Sequence, residues 1–132
     1  HSEMIGHVYV MQPHAYEEWL SGEIEKESPV DAGKRLFGDL GCKSCHKEGP
    51  NARGPSLNGL FGKEHALESG EIVQVNEDYI RESILKPMEK VSKGYAPVMP
   101  TYQGLVDQVG ILRLVAYIKS LESAKQAEAT NE

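Results

Sequence analysis

Apolar positions repeat along most of this chain with the spacing of helices. The clearest stripe predicts a helix over about 105–121 and consists of Ile111, Leu114, Val115, Ile118 and Leu121. An earlier helix is predicted over 30–40, because Ser28 can cap its N-terminus and Pro29 suits its first turn. These two helices are the longest that the sequence predicts.

A shorter helix is predicted between these two, over 77–85. Asn76 can cap it and Pro87 stops it, since proline cannot continue a helix. Two stretches rich in glycine and proline, 49–62 and 94–104, separate the helices, and no sheet pattern competes with them. The pattern indicates an all-α domain.

The N-terminal part of the chain differs from this domain. The β-prone run 5–11 predicts a strand, and Pro13 predicts the start of a short helix. A polar linker follows, and the C-terminal end is polar and expected to fray. These features divide the chain into four regions, which are 1–20, 21–28, 29–121 and 122–132.

Composition and charge narrow the classes of function. The chain has 132 residues, of which 39% are hydrophobic and only 7% aromatic. No stretch reaches the ~18–20 apolar residues that span a bilayer, and no signal peptide is visible, which suggests a processed product or a trimmed fragment. The net charge is −6, yet residues 29–121 carry 12 Lys and Arg against 11 Asp and Glu. Nucleic-acid binding is not expected, because no basic excess exists to pair with phosphates.

The two cysteines occur together in Cys42-Lys43-Ser44-Cys45-His46. This C-x-x-C-H spacing is the attachment signal of a c-type haem. One helical turn places both thiols on one side, where they reach the vinyl groups of the macrocycle, and the next imidazole turns onto the iron. The motif predicts one covalent haem c, bound through Cys42 and Cys45 with His46 as an axial ligand.

The cysteine pair has two other interpretations. A thioredoxin-like redox disulfide needs a βαβ context, which the pattern lacks. A structural zinc site usually needs four ligands, and the chain has no second cysteine pair. Haem attachment is the favoured prediction.

A methionine is the expected second ligand, because iron held by His and Met is the arrangement of electron-transfer cytochromes. Met99 is the favoured candidate, since Pro97 and Pro100 bracket it and restrict its loop. Met88 is the main rival, and a histidine ligand or an open position remains a further alternative. The other histidines are interpreted as surface or structural residues, and they are His1, His7, His14 and His65.

The order of these motifs resembles the class I cytochrome c family. The resemblance covers residues 29–121 and includes the segment that begins Gly54-Pro55-Ser56-Leu57. It implies an all-α class I fold in which the first and last helices cross, with Gly33 and Phe37 against Tyr117. It also implies that the Pro55 carbonyl accepts a hydrogen bond from His46, which orients the ligand.

A narrower resemblance concerns the first residues. The run from His1 through Met4 to Val8 resembles the end of the dinuclear copper domain of cytochrome c oxidase subunit II, which in caa3-type oxidases runs directly into a cytochrome c domain. Residues 1–20 are therefore interpreted as a remnant of that cupredoxin-like domain. The bridging cysteines of the copper site are missing, so no copper is expected in this chain.

Together these resemblances imply a role in electron transfer without catalysis of its own. The domain would take an electron from a donor protein and pass it to the copper centre of its parent oxidase, on the outer face of the bacterial cytoplasmic membrane. This fragment itself is expected to be soluble. A possible basic rim for an acidic donor comprises Lys43, Lys47, Lys86, Lys90 and Lys93. A free-standing carrier, or a haem enzyme or sensor with an open iron position, remains an alternative.

Overall fold

The computed structural model of the chain describes residues 8, 10, 12–21 and 27–129, with backbone alone for 14, 15, 18 and 122–129. Its elements are, in chain order, α1 (Pro13–Leu20), α2 (Pro29–Asp39), α3 (Cys42–Cys45), β1 (Glu64–Ala66), β2 (Ile72–Gln74), α4 (Glu77–Leu85) and α5 (Gln108–Ala129). Helices dominate, as the hydrophobic pattern predicted.

Side-chain caps explain where the helices begin. The Ser28 hydroxyl accepts a hydrogen bond from the Asp31 amide at 3.1 Å, and Asn76 Oδ1 accepts one from Tyr79 at 2.8 Å. The Asp107 carboxylate accepts the Gly110 amide at 2.7 Å. This cap explains why α5 begins at Gln108. The sequence prediction did not include the cap and therefore placed the start near residue 105.

The core lies where α2 crosses α5. A Cβ built on Gly33 would lie 1.9 Å from the backbone oxygen of Arg113, so only glycine permits this close approach of the two backbones. The Phe37 and Tyr117 rings meet with centroids 5.4 Å apart at 60°. The predicted crossing of the first and last helices is confirmed.

A small sheet corrects one expectation. β1 and β2 form an antiparallel hairpin in which His65 pairs with Val73, whereas the sequence indicated no strands inside the domain. Each strand has only three residues, and Ile72 of the hairpin is exposed. Such short strands leave too little alternation for a period-two pattern to emerge.

The helices at the two ends of the chain can be compared with their predicted bounds. α1 begins at Pro13, as predicted, while most of the predicted strand over 5–11 and most of the linker lie outside the described residues. α5 continues to Ala129, beyond the predicted end at residue 121. No helix among the described residues is long and apolar enough to cross a membrane.

Candidate haem site

The short helix α3 carries the attachment motif. The amide of His46 donates to the Cys42 carbonyl at 3.0 Å, and the Ser44 hydroxyl donates to the Gly41 carbonyl at 2.7 Å. These local hydrogen bonds close a single turn around the motif. Cys42, Cys45 and His46 all line the same cleft, so the structure brings the three predicted residues together.

The His46 ring is held from behind by the loop that follows. Its Nδ1 lies 2.9 Å from the Pro55 carbonyl oxygen, which can only accept a hydrogen bond. Nδ1 therefore carries the proton, and the lone pair of Nε2 is free to bind a metal. A Cβ on Gly54 would lie 2.9 Å from the ring, so any larger residue there would press against it. This geometry agrees with the role that the resemblance implied for Pro55.

The cleft itself suits a flat apolar macrocycle. It encloses about 1230 Å³, including its open mouth. Val75 and Leu114 are almost completely buried in its wall. Other aliphatic residues that line it include Leu40, Leu57, Leu60, Ile80, Ile84 and Ile118. A metal-holding macrocycle with little polar surface fits this lining. The two thiols at the edge of the cleft suit covalent attachment.

Met99 lines the same cleft as His46. The chain just beyond it is attached to the end of α4, since the Tyr102 amide donates to Ile84 at 3.1 Å and the Thr101 hydroxyl to Leu85 at 2.7 Å. Met88 is 57% exposed and does not line the cleft. Of these two predicted candidates, the structure places Met99 alone beside the motif.

The hairpin holds the segment that leads into the methionine loop. The Lys93 amide donates to the Ala66 carbonyl at 3.0 Å, and the Glu68 amide to Val91 at 2.9 Å. The His65 ring and the Ser92 hydroxyl are hydrogen-bonded at 2.8 Å. His65, predicted to be a surface or structural histidine, is thus a structural one that helps to position this loop.

Cys42 and Tyr102 are neighbours at the edge of the cleft. Burial raises the pKa of the Cys42 thiol, while a hydrogen bond with Tyr102 acts in the opposite direction. The Tyr102 hydroxyl also donates to the Leu40 carbonyl at 3.0 Å. Tyr102 therefore connects the methionine loop to the end of α2, next to the attachment residues.

Four of the five lysines of the suggested rim are exposed, and they are Lys43, Lys47, Lys86 and Lys93. Lys90 instead lies at the cleft and pairs with Glu82 at 2.5 Å. Its charge is therefore largely compensated within the fold. A basic rim built from the exposed lysines stays a prediction.

The described part of the chain contains no set of side-chain ligands for another kind of metal site. No group of three or more His, Cys, Asp or Glu side chains there could hold a metal ion. His1 and Met4, the residues that resemble copper ligands, lie outside the described residues. The expectation of no copper stays a prediction.

Comparison with known proteins decides the family. A model described as cytochrome c matches residues 30–122. The chain belongs to the cytochrome c family. The cytochrome c2 of Blastochloris viridis is 28% identical over 118 residues, which cover 79% of this chain and 88% of that protein.

Family membership settles the cofactor and the general role. A cytochrome c carries haem c covalently, and the C-x-x-C-H motif of this chain lies at the edge of a cleft that fits it. Such a domain is an electron carrier and not an enzyme, and it works by contact with redox partners. When bound, the haem iron supplies the site that gains and loses the electron.

Sequence reasoning missed several residues of this cytochrome c site. Tyr102 and the His65–Ser92 pair carry no local signal, because their partners lie 62 and 27 residues away in the chain. Ser83, which also lines the cleft, could have been found. It is a serine between the apolar positions Ile80 and Ile84 of a predicted amphipathic helix.

Proposed function

We propose that this domain transfers single electrons through a haem iron ligated by His46 and Met99, and that it relays them to the copper centre of a caa3-type oxidase. The observation that carries the ligand assignment is the shared cleft. Both thiols, the His46 ring and Met99 line it together, and the ring is already oriented by Pro55.

His and Met ligation matches the chemistry of a carrier. A neutral thioether favours Fe(II) more than a second imidazole does, so this ligand pair raises the reduction potential. The apolar wall acts in the same direction, because it disfavours the additional positive charge of Fe(III). A six-coordinate iron also has no free position for oxygen or peroxide.

The oxidase assignment rests on the N-terminal residues. The run from His1 to Val8 resembles the end of a subunit II copper domain, and the cytochrome c domain follows it after a short linker. In that setting the electron would come from a donor protein and would leave to copper in the same subunit, on the outer face of the membrane.

A free-standing carrier is the second candidate. The match to a cytochrome c2 over 88% of that protein's length favours it, because the alignment needs no additional domain. The gene sequence upstream of His1 distinguishes the two. A copper-binding Cys-x-x-x-Cys in the same reading frame supports the oxidase relay, and an export signal directly before His1 contradicts it.

Substitution of the two candidate methionines tests the ligand assignment. In Met99→Ala the sulfur-to-iron charge-transfer band of the oxidised holoprotein should disappear, and cyanide should bind readily. Met88→Leu is the matched control and should leave the band and the potential unchanged. Met99→His should keep six-coordinate iron at a lower potential.

The reverse result would overturn the assignment. If the band survives Met99→Ala and vanishes in Met88→Leu, Met88 is the ligand. If the wild-type holoprotein lacks the band and binds cyanide rapidly, an open iron position and a sensor or enzyme role replace the carrier.

A further inference from the structure

Tyr102 is hydrogen-bonded to both sides of the haem cleft. It lies three residues beyond Met99, and its amide donates to the Ile84 carbonyl, near the end of α4, at 3.1 Å. Its half-buried side chain donates from the hydroxyl to the Leu40 carbonyl at 3.0 Å. One residue of the methionine loop therefore contacts α4 through its backbone and the end of α2 through its side chain.

The Leu40 carbonyl is well suited to accept this bond. Leu40 is the C-terminal cap of α2, and the last carbonyls of a helix have no partner within that helix. Leu40 also lies two residues before Cys42, and a backbone acceptor does not use the thiol, so the bond is compatible with covalent haem. Burial raises the pKa of the Tyr102 hydroxyl above its ordinary value of 10, so the hydroxyl stays protonated and can donate at neutral pH.

The methionine loop has no other hydrogen bond of this kind. Its two prolines have no amide hydrogen to donate, and the Val98 amide donates within the loop. The Thr101 hydroxyl donates to the Leu85 carbonyl of α4. Among the hydrogen bonds of residues 96–104, all of which the structure describes, only the one from the Tyr102 hydroxyl reaches the end of α2 beside the attachment motif.

We propose that the Tyr102 hydroxyl ties the methionine loop to the end of α2 and thereby limits the release of Met99 from the iron. Without this hydrogen bond the loop is held only from the side of α4 and the hairpin, so Met99 moves away from the iron more often. Tyr102 is thus a positioning residue, and the proposal rests on Met99 being the ligand.

Tyr102→Phe in the holoprotein tests this, because phenylalanine keeps the ring and removes only the hydroxyl. At saturating cyanide, the rate of cyanide binding to the oxidised iron is the rate at which Met99 leaves it. We expect this rate to rise about fivefold, which corresponds to about 1 kcal/mol for one lost hydrogen bond. The sulfur-to-iron band should remain before cyanide is added, since Met99 is still the favoured ligand.

Ser120→Ala is the matched control. It also removes a hydroxyl that donates to a backbone carbonyl, that of Tyr117 at 2.6 Å, but Ser120 does not line the cleft. Its cyanide-binding rate should equal that of the wild type. Denaturant titration of both variants separates faster ligand release from a general loss of stability.

The possible failures are distinguishable. A wild-type holoprotein without the sulfur-to-iron band contradicts Met99 ligation itself, and with it this proposal. A band that is present, together with an unchanged cyanide-binding rate in Tyr102→Phe, overturns the tie and leaves Met99 as the ligand. An equal acceleration in Tyr102→Phe and Ser120→Ala shows that lost stability is the cause, and also overturns the tie.

Discussion

The two sides of the haem cleft are built in different ways. The His46 side consists of one helical turn and the adjacent loop, in which ligand, thiols and the Pro55 acceptor lie within 14 residues, from Cys42 to Pro55. The Met99 side is a loop without regular structure. It is held by hydrogen bonds to α4, to the hairpin and to the end of α2.

This difference predicts unequal responses to change. Hydrogen bonds between residues a few positions apart cost little loop-closure entropy, whereas hydrogen bonds between distant segments form only when the whole domain is folded. The histidine side should therefore tolerate damage elsewhere in the molecule. The methionine side should loosen first when a distant support is removed.

The largest effect should come from breaking covalent attachment on the histidine side. The double variant Cys42→Ser, Cys45→Ser should lose all haem to acidified organic solvent after denaturation, because no thioether bonds remain. Ser44→Ala, in the same helical turn, is the control and should keep the haem on the polypeptide. Mass spectrometry measures both. Retention of haem by the double variant would show that attachment occurs elsewhere.

Gly54→Ala should disturb the histidine side without breaking it. Its Cβ would lie 2.9 Å from the His46 ring and press the ring away from Pro55. We expect the free energy of unfolding to fall by about 1–3 kcal/mol and the potential to change. Denaturant titration and redox titration measure these effects.

Gly38→Ala is the control for this glycine. Gly38 lies inside α2, and its Cβ would meet nothing closer than the Lys43 amine at 3.8 Å. Alanine should stabilise the helix by about 0.5–1 kcal/mol. An equal loss of stability in both variants would mean that contact with His46 is not the reason.

The methionine side should respond to pH through His65. Burial lowers the pKa of this ring below its ordinary value of 6.5, so the unfolded chain binds the proton more tightly. The stability due to neutral His65 is complete above pH 6.5 and is lost as the pH falls through the lowered pKa. In His65→Gln the free energy of unfolding should depend less on pH below 6.5, because the titrating ring is absent.

The hydrogen bond between His65 and Ser92 should also affect ligand exchange at the iron. Ser92→Ala removes the partner of His65 and should cost about 1 kcal/mol. It should also speed the displacement of Met99 by cyanide, while the haem stays covalently attached. An unchanged displacement rate would contradict the view that the hairpin holds the methionine loop.

The smallest effect should follow removal of the N-terminal region. The Tyr16 and Trp19 rings of α1 stack on each other with centroids 5.8 Å apart, and both are about half exposed. A chain shortened to begin at Glu27 keeps the ion pair with Arg35. It should retain its haem spectrum and most of its melting temperature, and a large loss would place α1 within the core.

Much of this protein could be predicted from its sequence, because the signals are local. The attachment motif lies within one helical turn, and Ser28 and Asn76 cap α2 and α4 from three residues away. The apolar stripe of α5 likewise needs only helical spacing. Interactions over a few residues depend little on the rest of the chain.

The tertiary structure alone decided how distant segments meet. It placed Met99, and not Met88, along the cleft, paired His65 with Ser92, and left the Ser83 hydroxyl buried without a hydrogen-bond partner. The hairpin was also not predicted from the sequence, because strands of three residues are too short to show the period-two alternation of apolar and polar residues. These features depend on contacts between residues far apart in the chain, and hydrophobic spacing along one segment does not specify which distant segment it will contact.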